Sequence, residues 1–244
     1  MKKLLTICVL LLFAANSFAS TVLIYDAGSG ELAGAMGVLG IGYDLRNAAN
    51  PVTAGDLASH DLLIVESDWW GIGDMSGLSA SVLSAGITGN VFITGQDVDY
   101  HVFFDSPAGT APDTLFTQAM AFVSAGSGTG LFAMSDVGAG YAWLPAAWGI
   151  SGTTNGGDDI SSFTAAGLAS GIYAGLTTTD LSNWYTSYHN IVGWGDGFAP
   201  FQLANNDQDV VAIGRGAVVP VPGAMLLGVI GSGLVAWMKR RGTV

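Results

Sequence analysis

Positive charge is nearly missing from this chain. Its 244 residues hold seven lysines and arginines against nineteen acids, a formal net charge of −12. Lys2, Lys3, Lys239, Arg240 and Arg241 stand at the two ends, so only Arg46 and Arg215 lie between residues 20 and 219, where all nineteen acids fall. Phosphate neutralisation needs clustered Lys and Arg, so nucleic-acid binding is excluded. Cysteine is as scarce: Cys8, in the first apolar run, is the only one. A disulfide scaffold is therefore excluded too. Charged residues of all kinds make up 11% of the chain, while half of it is hydrophobic and 36 residues are glycine.

The ends carry addresses. Lys2 and Lys3 precede the apolar stretch from Leu4 to Ala15, which is too short for a spanning helix and the right length for a secretory leader. Ser17-Phe18-Ala19 puts small residues at the positions a signal peptidase reads, so residues 1–19 are expected to be a signal peptide cleaved after Ala19. An uncleaved N-terminal anchor is the alternative. At the other end, Pro220-Val221-Pro222-Gly223-Ala224 leads into an apolar run to Met238 and then Lys239-Arg240-Arg241. Residues 223–238 would span about 24 Å as a helix, and snorkelling by Lys239 extends the reach. The basic triplet should stay on the cytoplasmic side, leaving the middle of the chain outside the inner membrane.

This tail resembles the PEP-CTERM sorting signal of Gram-negative bacteria, although Val221 stands where the usual motif has Glu between the prolines. The resemblance covers residues 217–244. It implies an exosortase-like protease as partner and an inner-membrane-anchored precursor. The domain would face the periplasm and pass later to the cell surface or extracellular matrix. A plain tail anchor is the alternative.

Residues 20–216 read as one acidic exported domain, long enough to bury a core without metals or disulfides. Apolar, β-branched runs at Val22–Tyr25, Leu62–Val65, Val91–Thr94 and Leu131–Met134 alternate with helical patterns at 31–39, 78–85 and 114–124. In the last of these Leu115, Phe116, Ala119, Phe122 and Val123 share a face. Continuous apolar strands alternating with helices predict a mostly parallel sheet covered on both faces. The fold class expected is α/β: a single flavodoxin-like or amidotransferase-like domain between a signal peptide and a C-terminal transmembrane helix. Turn chemistry is expected at Asn155–Asp159, with strands at 188–192, 198–203 and 210–213.

Sites in such sheets form at the carboxyl ends of the strands. Those ends carry Asp26, then Glu66 and Asp68, then Asp97, Asp99 and His101, and later Asp136. If residues 96–102 run extended, Asp97, Asp99 and His101 share one face. Converging carboxylates with an imidazole suit a divalent cation or an acid/base pair, so Asp26, Glu66, Asp68, Asp97, Asp99 and His101 are the candidate metal ligands. The competing reading is that these acids cap helices and are solvated. No other cofactor is implied. Gly28-x-Gly30-x-x-Ala33, with Asp44 as a ribose acid, fits a relaxed dinucleotide fingerprint, but Asp26 and Glu31 would repel a pyrophosphate.

Strand–Gly-turn–helix from Val22 and Val-Phe-Ile-Thr-Gly-Gln-Asp at 91–97 resemble the class I glutamine amidotransferase-like fold and its ThuA-type relatives. Catalytic members present a cysteine at the turn that is Gly95-Gln96-Asp97 here, so the resemblance implies the fold and no amidotransferase chemistry. Asn205–Asp209 has calcium-loop composition without the Gly and Glu an EF-hand requires, and reads as a hairpin turn. Trp69, Trp70, Trp143, Trp148, Trp184, Tyr185 and Trp194 sit in loop-like stretches; exposed, they would stack on sugar rings, and buried, they pack the core. His60 and His189 have no partner that spacing suggests. The expected function is an exported surface or matrix protein, with a polysaccharide as a candidate partner. A secreted metal-dependent hydrolase and a carbohydrate-binding module are the alternatives.

Overall fold

The computed structural model describes residues 21–67, 73–104, 110–135 and 140–216. The leader, the sorting tail, Asp68, Trp69, Trp70 and Asp136 lie outside the described residues. The elements in chain order are β1 (Val22–Tyr25), α1 (Glu31–Leu39), β2 (Asp44–Arg46), α2 (Ala54–Ser59), β3 (Leu62–Val65), α3 (Ala80–Gly86) and β4 (Ile87–Thr94). There follow α4 (Val98–Phe104), α5 (Ala111–Ser124), β5 (Thr129–Ala133), β6 (Ser151–Gly157), β7 (Ile160–Phe163), α6 (Ala165–Ser170), β8 (Tyr188–Gly193), β9 (Ala199–Ala204) and β10 (Asp209–Arg215).

The main sheet has eight strands in the order β2-β1-β3-β5-β4-β10-β9-β7. The first five are parallel, and β10, β9 and β7 extend the sheet antiparallel. Connections moving towards the β2 edge cross over α1 or over α4 and α5. Those moving the other way cross over α2 or α3. This division is what a uniformly right-handed crossover requires. Relative to a flavodoxin-type order of 2-1-3-4-5, the last two parallel strands are exchanged.

Strand alternation distributes the core. Val22, Ile24, Leu62, Ile64, Phe92 and Phe132 face α1, α4 and α5, while Leu23, Tyr25, Leu63, Val65, Val91 and Ile93 face α2 and α3. Every residue of β1, β3 and β5 is buried, which is why these strands read as unbroken apolar runs. Phe92 and Phe132 (centroids 5.5 Å apart), with Phe116 against Phe132 (5.4 Å), lie at the centre of the α5 side. Leu115, Phe116, Ala119, Phe122 and Val123 are buried as their spacing predicts. The helix starts earlier than the apolar pattern, at Ala111, because Pro112 is tolerated in a first turn that needs no donated N–H.

Two expectations fail locally. Residues 98–104 form α4 rather than an extended segment, so alternation does not apply to Asp97, Asp99 and His101. Residues 155–157 belong to β6, an exposed strand paired antiparallel with β8, and the register shifts between Thr154 and Gly157, so the turn-prone residues make an irregularity within the strand rather than a turn. The hairpin at 205–208 does form: Asn205, Asn206 and Asp207 all adopt left-handed backbone (φ 51, 53 and 65), a conformation these side chains tolerate best after glycine.

Candidate functional site

The site lies where the parallel strands end. The chain leaves β1 towards α1 on one face and leaves β3 towards the other, which opens a crevice between them. Glu66, the residue after β3, fills it. Its Oε2 accepts from the N–H groups of Ala27 (2.5 Å) and Gly28 (3.2 Å), and its Oε1 accepts from Ser29 Oγ (2.6 Å) and the Leu32 N–H (3.2 Å). The Gly-rich turn thus holds a carboxylate of its own chain, in the place where a dinucleotide phosphate would sit. Asp44 begins β2 instead of ending it, and faces His60 Nε2 at 3.0 Å. The fingerprint has neither the space nor the acid it requires.

Gly95 shapes the next part of the site. A Cβ there would collide with the Asn190 carbonyl. Without one, β8 approaches until the His189 N–H donates to the Gly95 carbonyl at 2.7 Å. That approach brings His189 to Asp97, two residues on: Nε2 of His189 is 3.1 Å from Asp97 Oδ2, and Nε2 of His101, one helical turn along α4, is 3.4 Å from Oδ1. Asp97 is 5% exposed. Burial acts to raise its pKa, but the two imidazoles outweigh burial and hold the carboxyl below its ordinary range.

Behind this pair burial pushes the carboxyl pKa values up. Asp99 is fully buried, with Oδ2 accepting from the Ser67 N–H (3.0 Å) and Oδ1 from the Tyr100 N–H (3.1 Å). Burial first, then the neighbouring Glu66, pushes it up to about 8. Burial and Glu66 likewise raise Glu31 to about 7, and burial with Asp26 beside it raises Glu66. Glu31 Oε2 and both amide atoms of Gln96 are buried without a hydrogen-bond partner among the described residues. Buried polar atoms are normally paired, so these orphans mark the site as one of the places in the domain where polar groups are buried without the usual compensation.

His101 also forms part of a surface cleft. The indole of Trp184 packs on it at 5.0 Å, and its Nε1 donates to the Asp180 carbonyl at 2.9 Å. With Thr110, Asp158, Asn183 and Tyr185 these residues line an open cavity of about 650 Å³. A second pocket of about 300 Å³ shares Asp158 and Asn183 with it and continues to Thr178, Thr179 and Ser182.

Of the candidate ligands, the structure brings Asp97 and His101 together and places Asp26, Glu66 and Asp99 in a neighbouring acidic group, while Asp68 lies outside the described residues. Among the described residues no group of three or more His, Cys, Asp or Glu is arranged to hold a metal ion. Sequence reasoning missed Glu31, treated only as a repeller of phosphate, and His189, which lies 92 residues from its partner Asp97. Gly95 was the available signal, since a glycine ending a buried strand marks a close backbone approach. Of the tryptophans expected to be exposed or packed, Trp143 and Trp148 are buried, and Trp148 stacks under the Arg215 guanidinium at 4.6 Å. Compared with known family models, curated proteins and solved structures, the chain gives no match in any of the three.

Proposed function

We propose that this is an exported protein of the cell envelope, held at the inner membrane by residues 223–238 and released towards the surface or matrix by an exosortase-type protease. The observation that carries the reading is where the chain enters and leaves the domain. Val22 opens β1 beside Leu62 and Arg215 closes β10 opposite Val91, both near the end of the sheet where the parallel strands begin. The carboxylate–imidazole site and its cleft lie at the opposite end. A domain tethered by either terminus therefore presents the cleft away from the bilayer. The scarcity of cations supports an exterior setting, because a strongly acidic surface stays hydrated and repels anionic partners.

In this reading the fold is a relative of the class I amidotransferase-like proteins that lacks their cysteine nucleophile. Strand β4, the turn Gly95-Gln96-Asp97 and helix α4 supply the strand–turn–helix on which that kinship rests. The test is topological. Alkaline phosphatase fused after residue 216 should be active, mature protein should begin at Ser20, and Pro220→Ala with Pro222→Ala should abolish processing of the tail. A cytosolic domain with its leader intact would refute the reading.

A second reading, a secreted hydrolase, is favoured by one feature: His101 lines the cleft with its Nε2 3.4 Å from Asp97 Oδ1, placing an imidazole beside a carboxylate. Hydrolysis of a chromogenic ester or glycoside panel that vanishes in Asp97→Asn, with the fold intact, would support it; inactivity across the panel would remove it.

A further inference from the structure

We propose that the groove running from His101 past Asp158 and Asn183 to Thr178 binds a neutral oligosaccharide, with Tyr185 and Trp184 as platforms for sugar rings. The first argument is Tyr185 itself. It is 96% exposed, so its ring packs against almost nothing in the domain. Its backbone is left-handed (φ 78), as is that of Asn183 (φ 63). Left-handed backbone costs a residue with a side chain roughly 1–2 kcal/mol. Asn tolerates this backbone, but at Tyr185 strain is accepted while the exposed ring adds nothing to the core, which points to what the ring does outside the domain. Trp184, between them, is fixed by its bond to the Asp180 carbonyl and by its packing on His101, so its indole is already oriented when a ligand arrives.

The polar groups are of the kind that recognises hydroxyls. Asp158 Oδ1 is held by the Ser187 N–H at 2.9 Å, which orients the carboxylate at the groove edge. Asn183 is exposed beside it, and its backbone N–H donates to the Asp158 carbonyl at 3.3 Å. A planar carboxylate and an amide next to aromatic faces match the alternation of C–H faces and hydroxyl rims on a pyranose. The charge argument then narrows the class. Among the described residues no lysine or arginine lines either pocket, and the domain carries two cations against nineteen acids, so uronate, sulfate or phosphate groups would be repelled. The two pockets share Asp158 and Asn183 and therefore lie side by side, which gives neighbouring places for more than one ring.

The test is calorimetric titration of the full-length protein in neutral detergent with cellohexaose, chitohexaose and mannohexaose, and with a hyaluronan hexasaccharide as the anionic probe. At least one neutral hexasaccharide should bind at or below about 1 mM and the hyaluronan oligomer should not. Tyr185→Ala should weaken binding at least tenfold with an unchanged melting temperature, because its side chain is exposed. Trp184→Phe, which keeps the packing on His101, should weaken it less. No binding by any neutral probe, equal binding of hyaluronan, or an unaffected Tyr185→Ala would each overturn the proposal. The titration is independent of the export reading: a domain found in the cytosol would leave its outcome unchanged.

Discussion

Alkaline pH should destabilise this domain, and Asp99 should be the main cause. Its carboxyl titrates at about 8 in the fold against an ordinary 3.8. A raised acid stabilises the folded state fully below its unfolded pKa, and that contribution is lost as pH rises to the folded pKa. At 1.36 kcal/mol per pH unit the interval amounts to on the order of 5 kcal/mol, lost between about pH 4 and 8. Glu31, moved from 4.5 to about 7, adds on the order of 3 kcal/mol across a window that closes one pH unit earlier. Asp97 acts in the opposite sense: its depressed pKa contributes stability at neutral pH that is lost as pH falls through the folded value. Stability should therefore peak near pH 5. Domains of this size lose roughly 2–4 °C per kcal/mol, so even half of the combined loss predicts a melting temperature some 10 °C lower at pH 8.5 than at pH 5. The decisive variant is Asp99→Asn. An amide cannot ionise, but its NH2 must face one of the two N–H groups, of Ser67 or Tyr100, that the carboxyl now accepts from. The variant should be less stable than the parent by about 1–2 kcal/mol at pH 5 and more stable above pH 8. Circular-dichroism melts of both proteins from pH 4 to 9 should cross. Parallel curves, or a parent most stable at pH 9, would refute the assignment of the buried protons.

Gly95→Ala should lower stability by about 3 kcal/mol or more, because β8 must withdraw from the end of β4; nuclear magnetic resonance should show His189 released from Asp97. Asp56→Ala removes the Thr53–Asp56 capping box and a paired interaction with Arg46 (3.2 and 2.5 Å), so a loss of about 2 kcal/mol in urea unfolding is expected at pH 7. Asp56 titrates at about 2 in the fold, so its contribution should persist down to about pH 4 and disappear as pH falls towards 2. Asn206→Val forces a β-branched residue into left-handed backbone at the β9–β10 hairpin and should cost about 1–2 kcal/mol, whereas Asn206→Gly should not destabilise.

The amino-acid sequence by itself determined the class of the fold and the places where the acidic groups gather at its strand ends. Strands buried on both faces have no polar side to alternate, so Val22–Tyr25 and Leu62–Val65 declare themselves as short unbroken apolar runs, and α5 declares its inner face by spacing alone. The carboxyl ends of those strands were legible for the same local reason: Asp26 and Glu66 follow directly on a run, and Asp97 follows one after Gly95 and Gln96. What only the tertiary structure decided is which of these groups meet. The pairing of Asp97 with His189 depends on a backbone approach at Gly95 across 92 residues, and no periodicity encodes the meeting of two distant strands. Glu66 capping the Gly-rich turn, in place of any phosphate, depends equally on β1 and β3 lying side by side. The protonation of Asp99 and Glu31 was out of reach from sequence for a further reason, since it follows from burial and from neighbours that are set only once every layer is packed.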